Sequence, residues 1–482
     1  MASVNVKQAA NGVWDSLLEH AERRRTMMAS VTRREFVRDA LAAGGVGTLW
    51  VAGVGKSAAA KGAPAQAKGL TLRALVYPYP PTQMVRDALP EYEKLTGVKV
   101  EWQEAPFNEA LAKQMAELVA NTDRYDVFIT SNKWVGAEAG TGQLQVLDDM
   151  IGKAGTALDW DDFMAKQRKM YSYQGKVYGI PLSSNIMMAA YRKDIFDKEG
   201  IKVPPVGTSF THSEWLSILR RLTKDKQKGT AFVIGKSSGL DVWSNVLVSA
   251  GGHWFDEKLN PVFNSKTGLM AAEYILELIK NAPADQLQFG NTEANEVMMN
   301  GRVVTQTFQW ASRIPMVEDP KKSRVVGKVG WSTLPLAELV PGRKTGLAVN
   351  DGWAFTIPKA SKNRQAAFDL AVWAVTKEKQ TTMVDDLQAP PSRISVFDKA
   401  KLHQKYIWLP VMKEQLDNSY DYPTIPEWAE VGEKATAELV SGWAGQYSLK
   451  EALNRINESV ITLMKERKYP VGTWKGDKLP WE

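Results

Sequence analysis

The feature that most constrains the fold is the alternation of strand and helix patterns that begins near residue 70. The first strand pattern ends at a proline-rich turn, Pro78 to Pro81, and the helical spacing that follows stops at Gly97. Strands are predicted at residues 70–77, 98–102 and 125–129, and helices at 85–95 and 111–119. This β-α-β-α-β order predicts an open, mainly parallel sheet flanked by helices, and therefore the α/β class. The first strand–helix turn lacks the G-x-G-x-x-G fingerprint, so no dinucleotide cofactor is expected.

The rest of the chain continues to switch between short strand and helix patterns. Helices are predicted at residues 213–224 with Ser213 as the cap, 268–280, 363–384 and 449–466, and strands at 229–234, 302–309, 325–333 and 352–357. No repeat of the length used by solenoid proteins is visible, so the chain is expected to form globular α/β units.

The first sixty residues have the pattern of an export signal. Arg33 and Arg34 precede a mildly apolar, Gly- and Ala-rich run from Ala40 to Gly55, and Ala58-Ala59-Ala60 follows. The order basic, apolar, small is typical of secretory signals, and the arginine pair resembles the twin-arginine type. The apolar run is shorter than the roughly 20 residues that a membrane span needs. We therefore predict an export signal over residues 1–60 and a flexible leader over 61–69, with cleavage after Ala60, Ala65 or Ala67.

Charge and cysteine content exclude several functions. Residues 1–60 carry eight Lys or Arg and five Asp or Glu, so removing them lowers the net charge from +7 to +4. Without a block of like charges, this mild excess does not indicate nucleic-acid binding. The 482 residues include no Cys and four His, which excludes disulfides, thiolate catalysis and Cys-based metal sites. With no Cys to carry a lipid anchor, the mature protein is expected to be free in a periplasm and not a lipoprotein.

From about residue 70 to 466 the chain resembles the family 1 extracellular solute-binding proteins, the receptors of ABC importers, among which the maltodextrin-binding proteins are well known. Five motifs in the family's order carry the resemblance: Leu89 to Val100; Tyr125-Asp126-Val127-Phe128; Gly175 to Pro181 with Tyr191-Arg192-Lys193-Asp194; Met299-Asn300-Gly301-Arg302 followed by Trp310; and Gly352 to Pro358. Each motif alone is weak, and their order behind an export signal makes them specific.

The resemblance implies a two-lobed periplasmic-binding-protein fold with the ligand in the cleft between the lobes. We assign residues 70–183 and 330–390 to lobe 1 and residues 184–329 and 391–482 to lobe 2. The lobes are expected to close on the ligand by a hinge motion. The expected partners are a small-molecule solute (a sugar, oligosaccharide, polyol or glycoside) and the transmembrane subunits of an ABC permease. The protein is expected to be a monomer that needs no cofactor.

Aromatic and polar residues that follow strands are the candidate ligand contacts, because sugars present apolar C–H faces ringed by hydroxyls. In the first part of the chain these are Tyr77 and Tyr79 after the first strand, Asn132 and Trp134 after the third, and Ser183, Ser184 and Asn185 at the crossing between lobes. Further along they are Asp241, Trp243, Gln309, Trp310, Asn350, Asp351, Gly352, Trp353, Arg393 and Trp428. Asp241 could instead be the N-cap of a helix. Arg393 could instead form an ion pair with an acid between the lobes.

Two other functions stay open on the sequence. Adjacent acids such as Asp161-Asp162 are expected to be solvated or to cap helices, but distant carboxylates could still form the active site of a carbohydrate-active enzyme. Tyr171, Tyr173 and Tyr178 could bind ferric iron, although they flank a predicted hairpin turn in which they would pack across strands. The charge of the solute is also open, since Arg192, Arg313 and Arg393 could accommodate an anionic sugar.

Overall fold

The computed structural model describes residues 69–235, 238–476 and 479. The predicted export signal and, apart from Gly69, the predicted leader lie outside these residues. Within them, no helix has both the length and the apolar character required to cross a membrane.

Thirteen strands occur in the described part of the chain, and most lie where the sequence predicts them. In chain order they are β1 (Thr71–Val76), β2 (Lys99–Glu104), β3 (Val127–Ser131), β4 (Ser172–Tyr173), β5 (Lys176–Val177), β6 (Ile180–Asn185), β7 (Met187–Arg192), β8 (Lys228–Ala231), β9 (Val303–Trp310), β10 (Val329–Ser332), β11 (Ala348–Val349), β12 (Asp351–Thr356) and β13 (Ser419–Tyr420). The predicted turn between β4 and β5 is confirmed, with Gln174 and Gly175 both at positive φ (49° and 73°), as a tight two-residue hairpin requires.

The helices cover the sheets and form most of the C-terminal part. They are α1 (Pro80–Thr96), α2 (Phe107–Val119), α3 (Val135–Gly140), α4 (Asp148–Ala154), α5 (Ala165–Lys169), α6 (Lys193–Lys198), α7 (His212–Leu222), α8 (Gly239–Ser249), α9 (Lys266–Ile279), α10 (Asn291–Met299), α11 (Ile314–Val317), α12 (Arg364–Ala374), α13 (Lys377–Leu387), α14 (Ile394–Phe397), α15 (Ala400–Lys405), α16 (Trp408–Asp417), α17 (Trp428–Trp443) and α18 (Leu449–Glu466). Single turns of 3₁₀-helix lie at Gly155–Ala157, Trp160–Asp162, Gln286–Gln288 and Ala311–Arg313.

Capping residues explain where these helices differ from the prediction. Helix α1 begins at Pro80, earlier than predicted, because the prolines that end β1 occupy the first helical positions, where the missing N–H has no intrahelical partner to lose. Thr211, and not Ser213, caps α7, and it forms a capping box with Glu214. The single helix predicted at 363–384 is two helices, because Thr376 caps the start of α13.

Two sheets divide the described chain into two lobes. The first sheet has the order β2-β1-β3-β12-β6, with β1 parallel to β2 and β3, and β12 antiparallel to both β3 and β6. The second has the order β10-β7-β9-β8, in which only the β8–β9 pair is parallel. The prediction of a mainly parallel sheet is therefore correct for the β-α-β-α-β unit, but neither sheet as a whole is mainly parallel. Of the strands next to the crossings, β6 and β12 pair antiparallel with each other and β7 pairs antiparallel with β9 and β10, whereas β11 pairs parallel with β13.

The boundary predicted at residue 330 needs correction. Strand β10 pairs with β7 in the second sheet, so the chain returns to the first sheet only between β11 and β12, at Asn350. The chain also crosses at Ile186, between β6 and β7, and again after α12, because α12 belongs to the first core whereas α16 to α18 belong to the second. A buried apolar core lies around each sheet. Residues from β1, β3 and α12 form the first core, and residues from β7, α8, α17 and α18 form the second.

Candidate functional site

The candidate site lies where four strands of the first sheet end beside the second lobe. Strand β12 runs antiparallel to β3 and β6, so its first residue, Asp351, lies opposite Asn185, and Trp353 lies opposite Ser131. The carboxyl ends of β1, β3 and β6 and the amino end of β12 therefore meet at one edge of the sheet. Predicted residues from four distant segments converge there, which is the usual place for a ligand on an open α/β sheet.

Five aromatic side chains form the first-lobe aromatic cluster: Tyr77, Tyr79, Phe107, Trp134 and Trp353. The Trp353 ring lies at its centre, 5.0 Å from the ring of Tyr77 and 5.2 Å from that of Trp134. The hydroxyl of Tyr79 is 2.7 Å from the hydroxyl of Ser183, and burial raises the pKa of Tyr79 well above its ordinary value. The cluster provides flat apolar surfaces of the kind that sugar rings and polyol chains pack against.

Lys133 links the two lobes. It follows β3 in the first lobe, and its ammonium group donates to both carboxylate oxygens of Asp241 on α8, at 3.0 and 2.9 Å. The same nitrogen lies 3.9 Å from Oδ2 of Asp351 and 5.3 Å from the centre of the Trp310 ring. Asp241 therefore does not cap α8, whose N-cap is Ser238, and is instead the partner of a cation from the other lobe.

Burial and the neighbouring charges together set the pKa values of the groups around Lys133. Burial acts to lower the pKa of Lys133, but Asp241 and Asp351 outweigh it and leave that pKa raised. Burial raises the pKa of Asp351, which Lys133 partly counteracts and Asp241 reinforces. The hydroxyl of Tyr422 donates to Asp241, and burial together with this carboxylate raises the pKa of Tyr422 well above its ordinary value. One cation thus balances two close carboxylates.

A second-lobe aromatic cluster lies beside Lys133 and consists of Tyr422, Trp254 and Trp428. The Lys133 nitrogen lies 5.2 Å from the centre of the Tyr422 ring. The Trp254 ring is 5.7 Å from Tyr422 and 5.4 Å from Trp428, and its N–H donates to the hydroxyl of Ser244 at 2.9 Å. Aromatic rings of the second lobe therefore lie beside the charged group that the first lobe supplies.

Buried polar atoms without a hydrogen-bond partner among the described residues surround Gly352. They are the hydroxyls of Tyr171 and Ser184 and Oδ1 of Asn132. Gly352 pairs with Ser184 across the sheet, and its carbonyl accepts from the backbone N–H of Asn132. A Cβ atom at residue 352 would lie 2.8 Å from the Tyr171 hydroxyl, so only glycine leaves these groups their space. Buried donors and acceptors of this kind normally have a partner, and solute hydroxyls could supply one.

Two predicted contacts belong to the packing of the lobes and are removed from the candidate site. Trp243 is completely buried, donates its indole N–H to the carbonyl of Gly268 at 2.9 Å and stacks on Phe263 with a ring-centre distance of 5.5 Å. Its position inside α8, which is buried along its whole length, turns it into the core.

Arg393 is also structural, in agreement with its alternative role as the partner of an acid. Its guanidinium donates to Asp162 at 3.2 Å and to the carbonyls of Leu158 and Val375. The same group lies 4.3 Å from the centre of the Phe163 ring. With its donors occupied and only 1% of its surface exposed, Arg393 cannot also bind a solute.

The remaining predicted residues lie on the second-lobe side of the site or at the crossings. Trp310 and Trp428 are close to Lys133 and Tyr422 as described above. Gln309 donates to Oδ1 of Asn295 at 3.0 Å, and Oδ1 of Asn185 accepts from the backbone N–H of Ser312 at 3.0 Å. Asn350 binds Gln167 and Asp421 through its side chain and so joins the return crossing to the second lobe.

Sequence reasoning missed Phe107, Lys133, Trp254 and Tyr422. Lys133 stands between Asn132 and Trp134, both of which were predicted, so its position after β3 was the available signal. Phe107 begins α2 directly after β2 and could have been found in the same way. Trp254 and Tyr422 lie in loops of the second lobe, and no strand pattern next to them marks their position.

The iron alternative gains no support from the arrangement of side chains. Within residues 69–235, 238–476 and 479, no group of three or more His, Cys, Asp or Glu side chains is placed to hold a metal ion. Tyr173 and Tyr178 belong to the β4–β5 hairpin region, where the backbone of Tyr178 donates to the carbonyl of Tyr171 at 2.9 Å.

The chain is similar to solute-binding proteins over most of its length. The family model for bacterial extracellular solute-binding proteins matches residues 77–381. A probable amino-acid ABC transporter periplasmic-binding protein of Sinorhizobium fredii is 24% identical over 417 residues, which cover 85% of this chain and 93% of the relative. A mannitol-binding protein of Pseudomonas aeruginosa is 22% identical over 332 residues, covering 64% of this chain and 74% of the relative.

Solved structures agree with this assignment. A solute-binding protein of an ABC transporter from Agrobacterium radiobacter K84, in complex with ribitol, has a TM-score of 0.74 and 25% identity and covers 82% of this chain and 99% of its own. The maltose-bound T. maritima MalE3 has a TM-score of 0.73 at 19% identity, with 82% of this chain and 100% of its own covered, and supports the two-lobed fold. Because the family model matches more than half of the sequence, this chain belongs to the bacterial extracellular solute-binding proteins.

Proposed function

We propose that this protein is the receptor of an ABC importer and that it captures a neutral polyhydroxylated solute, a sugar or a polyol, between its lobes. The observation that carries the proposal is the pair of aromatic clusters, one from each lobe, together with Lys133 and its two carboxylates, which join the lobes. Aromatic faces suit the C–H surfaces of such a solute, and Ser184, Asn132 and Tyr171 carry buried polar atoms, without a partner among the described residues, that can exchange hydrogen bonds with hydroxyls.

The charge balance favours a neutral solute. Asp241 and Asp351 already compensate Lys133, Asp194 pairs with Arg192 at 2.6 Å, and Asp162 pairs with Arg393. A carboxylate or sulfate on the solute would have to displace Asp241 from Lys133, which would leave a buried acid without its partner. Of the arginines that could accommodate an anion, Arg313 keeps a buried Nε without a partner among the described residues, so a sugar acid belongs in the test.

Several relatives and neighbours support this class of solute, whereas the Sinorhizobium fredii relative is named for an amino-acid transporter. One relative is named a mannitol-binding protein and another an erythritol/L-threitol-binding protein, and the structures of neighbours contain ribitol, D-mannitol and maltose. We further propose that the mature protein is a periplasmic monomer, exported by the twin-arginine route without a lipid anchor. It would deliver its solute to the transmembrane subunits of the permease and release it unchanged.

Thermal unfolding of the purified mature protein tests the proposal. The panel is ribitol, D-mannitol, maltose, D-glucuronate, a mixture of amino acids and Fe(III). A neutral solute at 100 times its dissociation constant should stabilise the folded state by about 2.7 kcal/mol. Trp353→Ala should abolish this shift. Trp373→Ala is the matched control, since that ring packs on Tyr92 in the same lobe and away from the candidate site.

Each other outcome would replace the proposal with a defined alternative. A shift with D-glucuronate alone would indicate an anionic solute and involve Arg313. A shift in melting temperature with the amino acids alone would indicate amino-acid binding, the function for which the Sinorhizobium relative is named. Stabilisation by Fe(III) alone would support an iron receptor, and release of reducing sugar from maltose would indicate an enzyme.

A further inference from the structure

The segment Asp421–Glu427 of the second lobe packs directly on helix α3 of the first lobe. Ile425 and Tyr422 belong to the apolar core around the second sheet, whereas α3 follows β3 of the first sheet. A Cβ atom on Gly136 would lie 2.6 Å from both the carbonyl carbon and the carbonyl oxygen of Ile425, and one on Gly140 would lie 3.1 Å from Cγ of Pro426. The two glycines, one helical turn apart, form the surface on which the segment rests.

The lack of a side chain at Gly136 is necessary for this contact. A distance of 2.6 Å to backbone atoms is closer than a Cβ atom can approach, and backbone yields less readily than the end of a flexible side chain. Gly152 in α4 provides a comparison, because a Cβ atom there would meet nothing within 4 Å. The requirement for glycine at Gly136 therefore comes from the other lobe and not from the helix itself.

Contacts inside the second lobe and at the crossing hold the segment in place. Asn350 donates to Asp421 at 3.1 Å, and the Tyr422 hydroxyl donates to Asp241. At the other end, the Glu427 carboxylate accepts from the hydroxyl of Tyr469 at 2.8 Å and lies 3.7 Å from Nε of Arg467. Arg467 and Tyr469, which follow α18, therefore hold the C-terminal end of the segment.

We propose that Asp421–Glu427 is a closure clasp, which stabilises the closed arrangement of the lobes by resting on Gly136 and Gly140. The proposal rests on the proposed function, because lobe closure around a solute is what gives the clasp its role. The clasp makes Gly136 a determinant of solute affinity although it is not a group that recognises the solute. Its contacts can be measured without any solute.

An engineered disulfide reports the clasp contact. A Cβ atom on Gly140 would lie 3.7 Å from Cβ of Pro426, close to the separation of about 3.8 Å that is usual in disulfides. Since the natural chain has no Cys, the pair Gly140→Cys and Pro426→Cys would contain the only two thiols. Solute-free protein is treated with oxidised glutathione, and free thiols are counted over time. Mass spectrometry of the digested protein identifies the intramolecular link.

The expected result is rapid formation of this disulfide in the monomer. The pair Gly152→Cys and Pro426→Cys is the matched control and should stay reduced over the same period. Adding Gly136→Ala to the reporter pair should slow disulfide formation about tenfold, because the added methyl group prevents close approach of the segment. Far-UV circular dichroism and melting of the reduced variants check that each one is folded.

Reporter thiols that stay free, or rates that Gly136→Ala does not change in folded protein, would overturn the clasp. The oxidised reporter is then mixed with ribitol, D-mannitol and maltose. Binding that is at least tenfold slower than in the reduced form, and restored by dithiothreitol, supports the clasp as a closure device, and equal rates contradict it. If the disulfide forms as expected but none of the three solutes binds reduced or parent protein, the proposed sugar or polyol function fails while the contact stands.

Discussion

Replacement of Lys133 by methionine should separate the lobes of the solute-free protein. Lys133→Met keeps most of the length of the side chain and removes its charge. Asp241 and Asp351 then lose the cation that lies 2.9 and 3.9 Å from them, and Asp351 is already a carboxyl group whose pKa burial raises. The two acids regain hydration only if the lobes move apart.

The size of the effect follows from the geometry of the ion pair. At an effective dielectric constant of about 20, unit charges about 3 Å apart attract by roughly 5 to 6 kcal/mol, part of which offsets the cost of burying the lysine. Breaking a buried pair from one side costs about 3 to 5 kcal/mol in proteins. The Lys133 side chain is 19% exposed, and Asp241 keeps the hydrogen bond from Tyr422. We therefore expect Lys133→Met to destabilise the closed arrangement of the lobes by about 3 kcal/mol, the lower end of this range. That is a shift of about 100-fold toward the open form.

Small-angle X-ray scattering of solute-free protein measures this shift. At pH 7.5 the Lys133→Met variant should have a larger radius of gyration than the parent, and the difference should shrink at pH 4.5. Loss of Lys133 raises the pKa of Asp351 further, so the penalty present above that pKa disappears as the acid becomes protonated. Lys113→Met is the matched control, because its pair with Glu109 at 3.0 Å is on the surface. Identical scattering from parent and Lys133→Met at pH 7.5 would refute this reasoning.

Three further variants test buried groups that belong neither to the aromatic clusters nor to the Lys133 ion pair. Burial raises the pKa of Glu138 to about 8, so the free energy of unfolding falls as pH rises from about 4.5 to about 8. The melting temperature of the parent should fall over the same range, and that of Glu138→Gln should change less. Burial lowers the pKa of His212 to about 4, so stability is lost as pH falls from about 6.5 to about 4. His212→Phe, which can still stack on Tyr274, should remove that loss, and an unchanged acid profile would contradict it. Arg393→Met should lower the free energy of unfolding, measured in urea, by about 3 kcal/mol and change solute affinity less than about twofold. A large loss of affinity in folded protein would return Arg393 to the candidate site.

Local patterns sufficed for most of the fold. The strand-and-helix alternation from residue 70 predicted the β-α-β-α-β unit, and proline and glycine positions predicted where β1 ends and α1 stops. The predictions that failed depended on partners far away in sequence. Strand β10 joins the second sheet because β7 pairs with it, and a local pattern cannot specify which lobe a strand enters.

The candidate site divides in the same way. Placement after a strand correctly brought Tyr77, Tyr79, Trp134 and Trp353 to one edge, because strand ends meet there in an open sheet. Residue type alone favoured Trp243 as well, and it lies in the core instead. Aromatic side chains serve equally well as ligand surface and as packing, so position decides between these roles: Trp353 lies at the strand ends, whereas Trp243 lies inside α8 and stacks on Phe263.

By itself, the sequence determined the α/β class, the two-lobed family and several of the aromatic side chains at the strand ends, because periodicity, turn residues and family motifs are local properties of the chain. The tertiary structure decided which charges meet. Lys133 pairs with Asp241 across 108 positions of sequence, and Arg393 pairs with Asp162 across 231. Compensation of a buried charge depends on distance in space. Only the fold could therefore show that Lys133 and Arg393 already have carboxylate partners.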